Sequence, residues 1–229
     1  MKGILWRIEN KFSRRRFTIR RWLLISCSFS VLLLTFRIIL TGRLSYIFLA
    51  WNLFLASVPY FISEWFGRHP QIVTKKAKLI LLLFVWLLFM PNSFYMLTDL
   101  FHLDNMDKGN PWFDLTLILS FAWNGIMFGV LSIRQMETLL KKTKGKLVSG
   151  IVICVVMWLN AFGVYIGRFL RFNSWDIFFN PFSLLTEIGN IFLDPYDHRR
   201  VWAMSICFAF FMIIVYYTIK KLNETIKGG

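Results

Sequence analysis

Cysteine is scarce: Cys27, Cys154 and Cys207 are the whole complement, and each sits inside an apolar run. No CxxC pair occurs, which excludes a disulfide framework and a thiolate metal site, and a lone thiol in such a run behaves as a small hydrophobe. Acidic residues are also few, 12 against 27 Lys and Arg, and there are three histidines. No HExxH helix, glycine-rich phosphate loop or nucleophile elbow is present, so those metal-dependent, phosphate-binding and hydrolytic chemistries have no signature here. There is no internal repeat and no low-complexity linker, so residues 1–229 are expected to form one domain.

What is abundant is apolar. The chain is 57% hydrophobic and 18% aromatic, with a mean hydropathy of +0.56, against about 45–50% apolar residues in an ordinary soluble domain. This is the composition of a membrane protein. The net charge of +15 lies between hydrophobic segments, not along a soluble face with interleaved aromatics, which argues against nucleic acid and makes the charge a matter of topology. Six segments, 22–41, 46–65, 78–97, 115–132, 147–170 and 201–219, each have about the 20 residues that cross a hydrocarbon core of roughly 30 Å. The expected fold is an all-α bundle of six spanning helices, with a basic segment at 1–21, the bundle over 22–219 and a tail at 220–229.

Cytoplasmic loops are enriched in Lys and Arg. The N-terminal segment, the loops after the second and fourth spans, and the tail together carry twenty Lys and Arg against four Glu, a balance of +16, while everything else sums to −1. Both termini are therefore expected in the cytoplasm, in a multi-pass protein of the cell membrane. Leu24, Ile25, Ser26 and Cys27 resemble a lipoprotein cleavage box, but the apolar run between Arg21 and Cys27 is shorter than the roughly 7–15 residues such a signal needs. The first span is expected to stay as an anchor.

Within the spans, Arg37 is placed to snorkel to the headgroups, and Asn52 and Pro59 to serve helix packing and a kink. Asn110 and Pro111 read as an N-cap and first helical residue, Trp112 as an interfacial aromatic, and Asp114 as a charge matched to the helix dipole. Gly125 with Gly129, and Gly163 with Gly167, form small-xxx-small pairs in the fourth and fifth spans. These are expected to pack the two helices together, bringing Asp114 toward Arg171, and to offer faces for a partner helix. Residues 177–193 are apolar but interrupted by Pro181 and Glu187; Leu185, Ile188 and Phe192 share a face, so a helix lying in the interface is expected, not a seventh crossing. DPYDHRR over 194–200 reads as a self-neutralising turn.

Two stretches depart from the apolar pattern. In MPNSFYMLTDLFHL over 90–103, Asn92, Tyr95, Asp99 and His102 fall within an arc of roughly 80° if the helix continues past Pro91. Asp99 would stand near a helix C-terminus, where negative charge is disfavoured, so it needs a partner among His102, Arg168, Arg171, Arg199 and Arg200. In YIGRFLRFNSWD over 165–176, Arg168 and Arg171 lie one turn apart at a helix end, and Asn173, Ser174 and Asp176 close it with polar turn chemistry. One reading is an ion pair that locks the third helix to the fifth. The other is a site: Arg168 and Arg171 clamp an anion, Asp99 and His102 form a catalytic or orienting pair, and Asn92, Tyr95, Asp114, Asn173 and Asp176 complete the binding surface. Asp99, His102, Asp114 and Asp176 could also be metal ligands, but no metal motif supports it, and none is expected.

PNSFYMLTDLFHL at 91–103, PWFD at 111–114 and GRFLRFNSWD at 167–176 resemble a family of small bacterial polytopic membrane proteins known only as a domain of unknown function. The resemblance implies bacterial membrane placement and brings no activity, substrate or cofactor. The function expected from the residues is binding or processing of an anionic lipid headgroup or other phosphate-bearing ligand on the extracytoplasmic side. The alternative is a non-catalytic scaffold or accessory subunit whose charges only fix packing. A transporter comes third, resting on Pro91 alone.

Overall fold

The computed structural model describes residues 2–69, 76–105 and 110–228, with side chains described over 18–69, 77–103 and 110–225. The basic residues Lys2, Arg7, Lys11, Arg14, Arg15, Arg16, Lys75, Lys76 and Lys227, the acidic Glu9, and Asp104, Asp107 and Lys108 lie outside the described side chains. The elements are α1 (Lys2–Thr41), α2 (Phe48–Arg68), α3 (Lys76–Tyr95), a 3-10 segment (Met96–Asn105), α4 (Pro111–Lys144), α5 (Lys146–Phe169), the single turn α6 (Asp176–Phe179), α7 (Pro181–Leu193) and α8 (Arg199–Gly228). No strand occurs among the described residues.

Five stretches are long and apolar enough to cross a bilayer: Thr18–Thr41, Ala77–Leu103, Pro111–Lys144, Lys146–Phe169 and Arg199–Thr225. The chain is thus a helical, multi-pass membrane protein. Leu24, Leu32, Ile39, Ile80 and Phe210 are more than half exposed on its flanks, which suits contact with lipid and would be a liability in water. The second expected span, found as α2, falls outside this set because Asn52, Pro59, Ser63 and Glu64 dilute its apolar run. Those residues are sheltered instead by protein, since α2 packs against both α3 and α4.

In lipid the apolar effect no longer drives helices together, so close packing and interhelical hydrogen bonds must. α4 is the centre, touching α1, α2, α3 and α5, and α8 lies on α5. One core joins Leu49, Met96, Leu117, Ile118 and Phe121; the other joins Met90, Ile153, Met157, Met212 and Tyr216. Near the far end of α8, Glu137 of α4 accepts from Tyr216 at 2.7 Å and from Lys220 at 2.6 Å, tying α8 to α4.

The glycine pairs do not serve each other. A Cβ at Gly125 would stand 2.5 Å from the Ser93 carbonyl and one at Gly129 2.8 Å from the Phe94 ring, while at Gly163 it would meet Pro91 Cγ at 2.5 Å and at Gly167 the Tyr95 ring at 3.3 Å. All four glycines therefore seat one turn and a half of α3, wedged between α4 and α5. They are taken up inside the fold and offer no vacant face to a partner helix.

Pro59 sits where other helices supply donors, as a membrane proline requires. Around Pro59, the Ala56 carbonyl accepts from Ser93 Oγ and the Pro59 carbonyl from Ser132 Oγ, each at 2.8 Å. The stretch over 177–193, expected to lie in the interface, falls in α6 and α7; at 13 residues α7 is about 20 Å long, too short to cross. Its packed face is Ile188 and Ile191 against Phe162 and Val201. Of the face expected of Leu185, Ile188 and Phe192, Leu185 is exposed together with Phe182 and Leu193, while the half-exposed Phe192 ring lies against Phe162 and Trp202, at 5.9 and 5.2 Å.

Candidate functional site

α3 continues through Pro91 but stops at Tyr95, and Asp99 and His102 ride on the 3-10 segment. The single stripe expected of Asn92, Tyr95, Asp99 and His102 is therefore broken in two. With three residues per turn, the 3-10 segment brings Asp99 and His102 one above the other. The α3 pair is used elsewhere: Asn92 bonds Ser174, at 2.9 Å, and the Tyr95 ring lies against Gly167.

Asp99 is 1% exposed. Its Oδ2 accepts from Asn52 Nδ2 at 3.1 Å, while its Oδ1 has no hydrogen-bond partner and faces Arg168 Nη1 at 3.8 Å. The same Nη1 lies 3.0 Å from His102 Nε2. A guanidinium can only donate, so Nε2 accepts and the imidazole proton sits on Nδ1. The Arg168 guanidinium also stacks over Phe101 at 5.5 Å, and the His102 ring packs on Phe48 at 5.0 Å. α2, the 3-10 segment and α5 thus converge on one carboxylate, one imidazole and one guanidinium. Asn52, read from sequence as a packing residue, belongs to this cluster; an amide opposite a carboxylate two helices away leaves no local signature.

Asp114 belongs to a different pair. It is fully buried and takes both oxygens to Arg37, Nε to Oδ1 at 2.5 Å and Nη2 to Oδ2 at 3.0 Å, with Tyr46 OH at 3.5 Å. Arg37 does not snorkel, and Asp114 does not meet Arg171. Arg171 does not share a helix with Arg168: α5 ends at Phe169, and Arg171 is exposed in a left-handed conformation, φ 60°. Asp176 accepts from the Asn173 N–H at 2.6 Å, which makes those two residues a local turn ahead of α6. Asn110 sits at the N-cap of α4 without a side-chain bond, with Pro111 following.

Asp99, His102, Asp114 and Asp176 are thus dispersed over three places. No group of three or more His, Cys, Asp or Glu able to hold a metal occurs among the described residues. Beyond Phe101 opens a groove of about 560 Å³ between the 3-10 segment, α5 and α8, walled by Leu97, Tyr165, Phe169, Met204 and Phe208 with Arg200 among its lining. Phe101 forms part of this wall and also lies under the guanidinium of Arg168.

Residues 51–215, more than half of the chain, match the family described as a protein of unknown function, DUF1361. The chain belongs to the DUF1361 family. The DUF1361 match includes the whole cluster of Asn52, Asp99, His102 and Arg168 with its groove, and leaves out Arg37 on α1. No curated protein and no solved structure matches the chain.

Proposed function

We propose that this DUF1361 protein binds an anionic amphiphile, a lipid with a phosphate-bearing headgroup, at Arg168, with the apolar tail in the groove beyond Phe101. The observation that carries this reading is the contrast between two buried ion pairs. Arg37 and Asp114 close on each other through two short bonds, as a purely structural pair does. Arg168 and Asp99 remain 3.8 Å apart, with one carboxylate oxygen unbonded and the guanidinium shared with an imidazole. A buried polar atom left unmade is costly, and an incomplete pair beside a groove is the arrangement expected of a site that completes itself on a ligand. His102 orients the guanidinium, Asp99 supplies its countercharge, and Arg200 adds a second cation near the groove.

The reading takes α2 as a sixth span, both termini as cytoplasmic, and the cluster as facing the extracytoplasmic side of the cell membrane, in line with the distribution of Lys and Arg. A bilayer-facing lateral groove with a cation near its rim suits a headgroup at the interface and a chain among the helices. Counting bound phosphatidylglycerol by native mass spectrometry of the detergent-solubilised protein tests it. Arg168→Gln is expected to remove one bound molecule, and an unchanged count would overturn the reading.

A scaffold is the second reading. It is favoured by Asn52 and Arg168 reaching the 3-10 segment from two different helices, which on that view serves only to fasten α2 to α5. It requires Arg168→Gln to lower stability while leaving the lipid count untouched.

A further inference from the structure

At the opposite end of the bundle, one carboxylate oxygen serves two cations. Glu64 Oε1 is paired with Arg20 of α1 and stands 3.4 Å from Arg68, one turn along α2. Two guanidiniums against one carboxylate leave a positive charge unbalanced, and Arg20 Nε is buried with no hydrogen-bond partner. These groups line a groove of about 340 Å³ between α1, α2 and α4 whose remaining walls are apolar, among them Leu24, Phe61, Trp65 and Phe128. Leu24, Phe61 and Trp65 are exposed on the flank of the bundle, so the groove opens sideways, toward lipid. Arg20 stands at the start of the span Thr18–Thr41, and Arg68 closes α2. The charges are therefore at headgroup depth and the apolar walls at acyl depth.

We propose that this groove holds one acidic phospholipid, its phosphate between Arg20 and Arg68 and its chain along Leu24, Phe61 and Trp65. Charge complementarity selects the occupant. The surplus cation and the neighbouring Arg21 favour a headgroup with net negative charge over a zwitterionic one, whose choline would meet the same arginines. The volume lies within the roughly 300–1,000 Å³ of small-ligand sites. The site does not depend on the Arg168 cluster; on the orientation proposed above it lies in the cytoplasmic leaflet.

The test is native mass spectrometry of the full chain in mild detergent, titrated in turn with phosphatidylglycerol and phosphatidylcholine. Phosphatidylglycerol is expected to bind preferentially, with Arg68→Gln weakening it roughly fivefold, as suits the loss of one interfacial cation, and Arg68→Lys retaining it. Leu24→Trp, which fills the groove and keeps every charge, should exclude the lipid, so the proposal stays testable if Arg68→Gln disturbs folding. Arg168→Gln should leave this binding intact, which separates failure here from failure at the other site. Equal binding of the two lipids, or retention of phosphatidylglycerol by both Arg68→Gln and Leu24→Trp, overturns the proposal. So does competition by glycerol 3-phosphate at matched concentration, which would make the ligand a soluble anion.

Discussion

Asn92 and Ser174 join the two polar stretches of the sequence: Asn92 Nδ2 donates to Ser174 Oγ at 2.9 Å, and Ser174 Oγ donates onward to the Leu88 carbonyl at 3.1 Å. The second amide bond of Asn92 goes to the Phe89 carbonyl, at 3.0 Å. The helix around Pro91 is thus fastened to the loop that follows α5. Ser174→Ala leaves an Asn92 side-chain donor without its acceptor and removes the second bond to the Leu88 carbonyl. A loss of about 1–3 kcal/mol is expected in thermal unfolding, and Asn92→Ala combined with it should cost less than the two single losses added.

Gly163 is where the proline turn of α3 meets α5. A methyl group there would lie 2.5 Å from Pro91 Cγ, whereas at Gly150, in the same helix, nothing lies within 4 Å. Gly163→Ala is expected to destabilise by about 1–3 kcal/mol. Gly150→Ala should be neutral or stabilise by up to about 1 kcal/mol. Melting temperatures of the two variants in one detergent check the contrast.

Arg37 and Asp114 lock α1 to the first turn of α4. Removing one member of a buried pair leaves an uncompensated charge, so Arg37→Ala should cost about 3–5 kcal/mol. Arg37→Lys should recover only part of that, because a lysine cannot make both bonds to the carboxylate. Thermal unfolding is the readout.

Sidedness is testable by labelling. In a chain with Cys27, Cys154 and Cys207 replaced, single cysteines at Asn110 and Asn173 should react with an impermeant maleimide from one side of the membrane, and one at Gly145 from the other. Asn110 and Asn173 labelled from opposite sides would contradict the proposed topology.

Much of this fold is visible in the residues themselves, because a run such as 79–89 has no polar group that could go anywhere but lipid or core. A helix too short to cross is legible over 181–193 through Pro181 and its length. What local patterns could not supply were partners distant in the chain. Arg37 reads as a snorkelling residue until Asp114, 77 positions away, is brought beside it. Asn52 reads as packing until Asp99 is opposite. The glycine pairs have a spacing that fits any close helix, and nothing in that spacing says that α3, not a neighbouring glycine helix, fills them. The stripe on 90–103 is broken for a geometric reason: it needs 3.6 residues per turn, and from Met96 the chain tightens to three.

The most direct comparison is thermal unfolding and phosphatidylglycerol count for Asp99→Asn beside Asp114→Asn. Asp114→Asn should melt well below the native protein with its bound lipid count unchanged while folded. Asp99→Asn should lower the melting temperature less than Asp114→Asn does, since the 3.8 Å pair with Arg168 has less to lose, and should raise the phosphatidylglycerol count at limiting lipid, because the carboxylate that competes for Arg168 is gone. Asp99→Asn unfolding as early as Asp114→Asn, with the phosphatidylglycerol count at limiting lipid unchanged, would show that the Asp99 pair is only another fastening between helices.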